Sequence, residues 1–231
     1  MIRSIWRVIK RIFIYLFIAQ LIYIIVLKWV NPPTTVTMIG NRISLIGSND
    51  HFHKDWVSYK NISSYAKLAV MAGEDQLFPV NNGFDIKAIK QAWLHNQHSK
   101  RIRGASTISQ QTAKNVFLWQ GRDWFRKGLE VYFTFMIEKI WGKKRILEVY
   151  LNVTQMGPHT FGIGAAAEQY YHKSAKSLSA AQAAMIAACL PDPYRYKVQP
   201  PARITVARQQ WILGQMDNLE GYPDIQNLIR Q

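Results

Sequence analysis

From Ile12 to Leu27 the chain reads IFIYLFIAQLIYIIVL, an apolar run interrupted by one polar residue, Gln20. Tolerating Lys28 carries the run through Val30, close to the roughly 20 residues that cross a ~30 Å hydrocarbon core at 1.5 Å per residue. No small-residue cleavage site precedes Asn31, so a retained anchor is expected in place of a cleaved signal peptide. Arg3, Arg7, Lys10 and Arg11 stand before the run and Lys28 alone after it. The positive-inside rule then keeps the N-terminus cytoplasmic and puts everything beyond Asn31 outside. The expected layout is a basic cytoplasmic tail at 1–11, a transmembrane helix at 12–30, a linker at 31–50 and an extracytoplasmic domain at 51–231.

That placement decides how the charge is read. Twenty-nine Lys and Arg against fourteen Asp and Glu give +15 and a pI near 10, which calls for a polyanionic partner: nucleic acid, anionic lipid or phosphate. An extracytoplasmic domain beside a membrane meets lipid head groups or a lipid diphosphate. With no zinc-finger spacing or RNA-binding aromatic signature, nucleic acid is not expected as a partner. Cys189 is the only cysteine and lies in an Ala-rich apolar run, where a buried inert thiol is expected.

The domain reads as all-α. Asn31-Pro-Pro-Thr-Thr35 has linker composition, and Thr35-Val-Thr-Met38 predicts a short extended segment, but no run of strands able to build a sheet is visible. Helical spacing of apolar residues predicts helices over 84–99 and 123–141, the second capped by Asp123. Ser179-Ala-Ala-Gln182 fits a capping box opening a helix that Pro191 closes, and 202–219 is a last amphipathic segment.

Three segments could carry chemistry. Glu74-Asp75 sits where an apolar helical stretch runs into the loop 79–83; a helix C-terminus disfavours carboxylates, so a function could justify the cost, although taken alone the pair reads first as a solvated acidic turn. Gly104-Ala-Ser-Thr-Ile-Ser-Gln-Gln-Thr-Ala-Lys-Asn115 is dense in hydroxyls and amides. A capping serine followed by free backbone N–H groups could hold phosphate there, or the segment is an ordinary cap. Arg126, Lys127 and Glu130 share one helix face, with Arg122 upstream, and such pairs also serve simply to stabilise helices. The histidines, including His51, His53, His95 and His98, lack metal-site companions. Ser64-Tyr-Ala-Lys67 matches the SxxK pattern of penicillin-binding transpeptidases by chance, since no Lys-Thr-Gly follows.

Taken together and in order, these blocks resemble the peptidoglycan glycosyltransferases of glycosyltransferase family 51, in particular its monofunctional members, over about residues 55–215. Glu74, Asp75, Phe78, Gly83 and Asp85 are similar to the family's EDxxFxxHxGxD, with Asn81 in place of its His. Gly104, Ser106, Thr107, Ile108, Gln110, Gln111, Lys114 and Asn115 are similar to GxSTIxQQ and the Lys-Asn after it. Arg126, Lys127 and Glu130 resemble RKxxE, and Ile146 to Asn152 resembles the ILExYLN run.

The resemblance implies a lysozyme-like all-α fold with a groove and a membrane-dipping apolar surface, for which Trp93, Phe117, Trp119, Trp124 and Phe125 are candidates. It also implies a single-pass protein of the bacterial cytoplasmic (inner) membrane that polymerises lipid II, with no transpeptidase activity. Glu74 and Glu130 are the expected catalytic residues. Asp75, Ser106, Thr107, Gln110, Gln111, Lys114, Asn115, Arg122, Arg126 and Lys127 are the expected substrate and diphosphate ligands. No tightly bound cofactor is expected; whether Mg2+ or Mn2+ takes part, through Glu130, stays open. The partners implied are lipid II, the growing glycan strand, the membrane and other wall-synthesis or division proteins. A lytic transglycosylase acting on finished peptidoglycan is the alternative enzyme, and a basic membrane scaffold the alternative without catalysis.

Overall fold

The computed structural model describes residues 2–99, 104–121 and 123–230. Among them run α1 (Ile2–Val26), α2 (Val36–Ser44), β1 (His53–Lys54), α3 (Ser64–Glu74), α4 (Ile86–His98), α5 (Ile108–Phe117), α6 (Trp124–Ile140), α7 (Lys143–Val153), β2 (Gln155–Gly157), β3 (Thr160–Phe161), α8 (Ile163–Tyr171), α9 (Ala180–Cys189), α10 (Arg203–Glu220) and α11 (Pro223–Ile229). The predominance of helix agrees with the sequence reading.

Helix α1 is continuous from residue 2, so Arg7, Lys10 and Arg11 ride on its first turns. Its stretch Ile5–Val26 is long and apolar enough to cross a membrane, which fits a single-pass anchor. Most of its side chains are exposed, but Ile24 and Leu27 are fully buried against the domain. The last turn of a helix leaves carbonyls without partners, and here the domain supplies the donors. Trp141 Nε1 donates to Ile24 O at 2.8 Å. Arg145 reaches Leu27 O through Nε at 3.1 Å and Nη2 at 3.0 Å, and Val30 O through Nη2 at 2.9 Å. The anchor is therefore seated on α6 and α7, and does not swing on a free tether.

Two expectations are corrected. The segment after Pro33 is helical: Thr35 Oγ1 accepts from Met38 N at 3.2 Å and so caps α2, whose Met38 is buried. A cap plus burial outweighs the weak β-type alternation there. A small sheet also exists, in the order β1-β3-β2, with β1 parallel and β2 antiparallel to β3. Strands of two or three residues are too short to show a period-two pattern. Gly162, at φ +87°, follows β3, and a Cβ there would lie 2.8 Å from Asn152 O, so the chain turns into α8 at a position that only glycine tolerates.

The centre of the domain is α3, buried from Ala66 through Ala72, packed on α9, buried from Ala183 through Cys189, with α10 across both. Helices apolar on every side belong in a core, and the alanines let their axes approach closely. Cys189 is fully buried, its Sγ donating to Met185 O at 3.3 Å, and burial pushes the thiol up to about 12. It is inert at physiological pH, as expected. Lys67 is likewise structural: its ammonium donates to Ile229 O at 3.2 Å and lies 3.9 Å from the centre of the Tyr59 ring.

The caps read from the sequence are in place. Asp123 Oδ1 accepts from Arg126 N at 2.7 Å, and Ser179 and Gln182 form a reciprocal capping box. Asp85, from the first family-like block, caps α4 through Ala88 N at 2.8 Å. Of the aromatic residues expected at a membrane surface, Trp93, Trp124 and Phe125 stand exposed, the last two at 91% and 72%. Phe117 departs from that expectation: it stacks on Phe133 and meets Tyr23 of α1 edge-on, so it packs the anchor against the domain.

Candidate active site

Glu74 is the last residue of α3, and the fold spends two donors on it. Gln111 Nε2, on α5, donates to Oε2 at 2.9 Å, and Arg208 Nη2, on α10, donates to Oε1 at 3.1 Å. Gln111 is held in turn by the Tyr150 hydroxyl, 3.3 Å from its Oε1. Burial pushes the Glu74 carboxyl upward, and the hydrogen bond from Gln111, then Arg208 and Lys114, oppose the shift. A desolvated but hydrogen-bonded carboxylate of this kind has raised basicity and a fixed direction.

One helical turn after Gln110, Lys114 projects toward α6. Glu130 is 2% exposed and accepts from Arg126 Nη1 at 2.7 Å and from Lys127 Nζ. Burial lowers the Lys114 pKa, and the Glu130 carboxylate is the main influence raising it again. Glu74, Ser106, Gln110, Gln111, Lys114, Arg126, Lys127 and Glu130 all line one open cavity of about 550 Å³. A second cavity of about 920 Å³ adjoins it, sharing Glu74, Ser106, Gln111 and Pro191, and continues past Asp85, Arg208 and Trp211. Glu74 thus stands at the junction of a cation-lined chamber and a larger groove.

Other expected ligands are placed differently. The residue capping α5 is Thr107 and not Ser106: its Oγ1 accepts from Gln110 N at 3.2 Å while Gln110 Oε1 accepts from Thr107 N at 3.1 Å. Ile108 N donates to Asp75 Oδ2 at 3.1 Å. The first-turn amides at 107, 108 and 110 are therefore used internally and are not free to meet a phosphate. Asp75 and Thr107 reach only the larger groove, and both are engaged within the protein. Asn81 Nδ2 donates to both Asp75 oxygens at 3.0 and 3.1 Å, and Thr107 Oγ1 donates to Gly83 O at 2.7 Å. Asn115 lines neither cavity and donates to Thr154 Oγ1 at 3.4 Å. Arg122 lies outside the described residues.

The donor set does not suit a divalent ion held by protein alone. Both Glu130 oxygens are occupied by cations, and no group of three His, Cys, Asp or Glu residues converges among the described residues.

The transglycosylase family model matches residues 40–217, which include every residue of both cavities. The biosynthetic peptidoglycan transglycosylase of Cronobacter sakazakii is 52% identical over 192 residues, covering 82% of this chain and 80% of that protein. Those of Yersinia pseudotuberculosis and Yersinia pestis are 52% identical over 202 residues, with 86% and 84% covered. The chain belongs to the transglycosylase family.

Within this transglycosylase, sequence reasoning missed Arg208. It sits on an amphipathic helix with no local motif, more than a hundred residues from its carboxylate partner, and only the family match extending to 217 includes it. Tyr150 belongs to the ILExYLN run, and that resemblance does not report its contact with Gln111. Lys143 and Glu138, which touch Asn81 and Ser109, were missed for the same reason as Arg208: their partners are distant in sequence.

A pH dependence follows from Asp75, whose pKa burial raises from 3.8 to about 6. The folded state holds this proton more tightly than the unfolded chain does. The resulting stabilisation is complete below about pH 4 and is lost as pH rises through 6, on the order of 3 kcal/mol at about 1.4 kcal/mol per pKa unit. Glu74, also raised, acts in the same direction. Thermal melts of the native protein should therefore show decreasing stability from pH 4 to 7. Asp75→Asn should flatten that decline; an unchanged slope would contradict the assignment.

Proposed function

We propose that this transglycosylase is a membrane-anchored peptidoglycan glycosyltransferase that polymerises lipid-linked disaccharide-peptide, lipid II, into glycan strands. The observation that carries the reading is the position of Glu74 between a cation-lined chamber and a second groove. A diphosphate leaving group is already anionic and needs positive charge more than a proton. Lys114, Arg126 and Lys127 supply that charge, and Arg126 can offer two donors to one phosphate. Glu130 orients these cations and keeps them from repelling one another.

The acceptor lies in the larger groove with its 4-hydroxyl at Glu74. Glu74 removes the hydroxyl proton as the oxygen bonds to C1 of the donor sugar, while the C1–O bond to the diphosphate breaks and its electrons leave with the phosphate. Gln111 and Arg208 hold the carboxylate in line. The relatives are named as biosynthetic enzymes, which favours this reaction over the lytic alternative. So does the cationic chamber, which a neutral glycosidic leaving group does not need. A scaffold without catalysis has no use for a buried carboxylate aimed into a cavity.

The span, with its positive excess on the N-terminal side, supports a cytoplasmic N-terminus and an extracytoplasmic domain in the inner membrane. The exposed Trp124 and Phe125 then meet the interfacial layer of the outer leaflet.

The test is polymerisation of purified lipid-linked disaccharide by the full-length protein, with the linkage examined by NMR and a parallel reaction in chelator. Single displacement gives a linear glycan in which C1 is inverted relative to the donor. Retention of configuration would remove Glu74 as the base. Abolition of activity by chelator would bring a metal to the diphosphate that the protein does not hold by itself.

A further inference from the structure

Beneath the larger groove lies a polar cluster to which the proposed reaction assigns no part. Lys143, the first residue of α7, donates to Asn81 Oδ1 at 3.1 Å and to Glu138 Oε1 at 2.6 Å, with its ammonium 4.7 Å from the centre of the Phe78 ring. Asn81 passes this contact on to both oxygens of Asp75. Glu138 accepts from Ser109 Oγ as well. Two carboxylates thus grip the first turn of α5, Asp75 through Ile108 N and Glu138 through Ser109, and one ammonium ties the two grips together. Gly83 completes the joint: it lies at φ +88°, and a Cβ there would come within 2.9 Å of both Glu138 and Thr134.

The joint matters because of what its two ends carry. Asp75 directly follows Glu74, and the turn of α5 that Asp75 and Glu138 grip leads directly to Gln111, the hydrogen-bond donor to Glu74.

We propose that Lys143 is a positioning residue of the glycosyl transfer, holding the end of α3 against the start of α5 so that Glu74 and Gln111 keep their alignment. This rests on Glu74 being the base, as proposed above. The groups facing Asp75 are Asn81 and Asp85 from the loop after α3, Ile108 N from α5, and Lys143 and Tyr150 from α7, with Glu138 of α6 behind Lys143. Lys143 is the cation among the influences that favour ionised Asp75, and Asp85 opposes it.

The test is the pH dependence of kcat and KM for lipid-linked disaccharide between pH 5 and 8, using full-length native protein, Lys143→Gln, Lys143→Arg and Glu138→Gln. Loss of an opposite charge near a carboxyl moves its pKa by about one unit or more. Protonation of Asp75 loosens its grip on Ile108 N and with it the joint, so the acid limb of kcat carries that carboxyl as well as Glu74; in Lys143→Gln it should rise by about one pH unit, with kcat near pH 6 falling about tenfold, the equivalent of one weakened charged contact. KM should change little, and Lys143→Arg should keep the native limb. Glu138→Gln, which removes a negative charge and keeps an acceptor for Ser109, should move the limb the opposite way and carries the test if Lys143→Gln does not fold. Acid limbs that coincide with the native one in the folded variants overturn the proposal. Inactivity of the native protein at every pH would instead overturn the functional reading beneath it.

Discussion

Glu74→Gln should abolish polymerisation while leaving a folded, membrane-inserted protein. The amide keeps the shape of the carboxylate and can still accept from Gln111 or Arg208, but it cannot take the acceptor's proton. Positioned general-base catalysis contributes about 10²–10⁴ in rate, so turnover should fall by at least the lower figure while KM stays close to native. The melting temperature near neutral pH should hold or rise, because the substitution removes a carboxylate whose ionisation burial disfavours. It also leaves Arg208 without its anionic partner, which limits that gain. Near-native turnover in folded Glu74→Gln would remove Glu74 as the base.

Glu130→Gln should fail differently. Glu130 is buried, and its two oxygens balance Arg126, 7% exposed with Nε lacking a partner, and the more accessible Lys127. Removing one member of a buried pair leaves an uncompensated charge and typically costs about 3–5 kcal/mol. Stability should drop as well as turnover, since three cations in the chamber would then repel one another and lose the geometry that meets the diphosphate. Anions should partly offset the loss by occupying the chamber. The separating measurement is thermal stability with and without pyrophosphate: Glu130→Gln should melt well below native and regain part of the difference with the anion, whereas Glu74→Gln should melt close to native and shift with the anion as native does. A Glu130→Gln protein as stable and active as native would contradict the role given to this carboxylate.

What was legible in the sequence was local or carried by the family resemblance. Asp123, Ser179 and Gln182 announce their helix starts because a cap acts on residues two or three positions away. Arg126 and Glu130 announce their pairing through the four-residue helical repeat. The placement of Glu74 at a helix end could be read from the apolar run before it, whereas its role came from the ordered blocks taken together. Arg208 on Glu74, Lys143 on Asn81 and Arg145 on the anchor's last carbonyls are side-chain contacts across the fold, and no spacing rule reports them. Asp75, Thr107 and Asn115 lie within blocks read as ligand-binding, yet their polar atoms hold the joint between α3 and α5 and its surroundings. A motif shows that residues act together without showing which of them touch the substrate.

The proposed polymerase builds glycan and does not degrade it. Full-length protein in detergent or vesicles should be given lipid-linked disaccharide in one reaction and purified sacculi in another, with the products of both separated by size. Glycan polymer from the first reaction and no soluble fragments from the second is the predicted result. Soluble fragments released from sacculi, with no polymer made from the lipid-linked precursor, would contradict it.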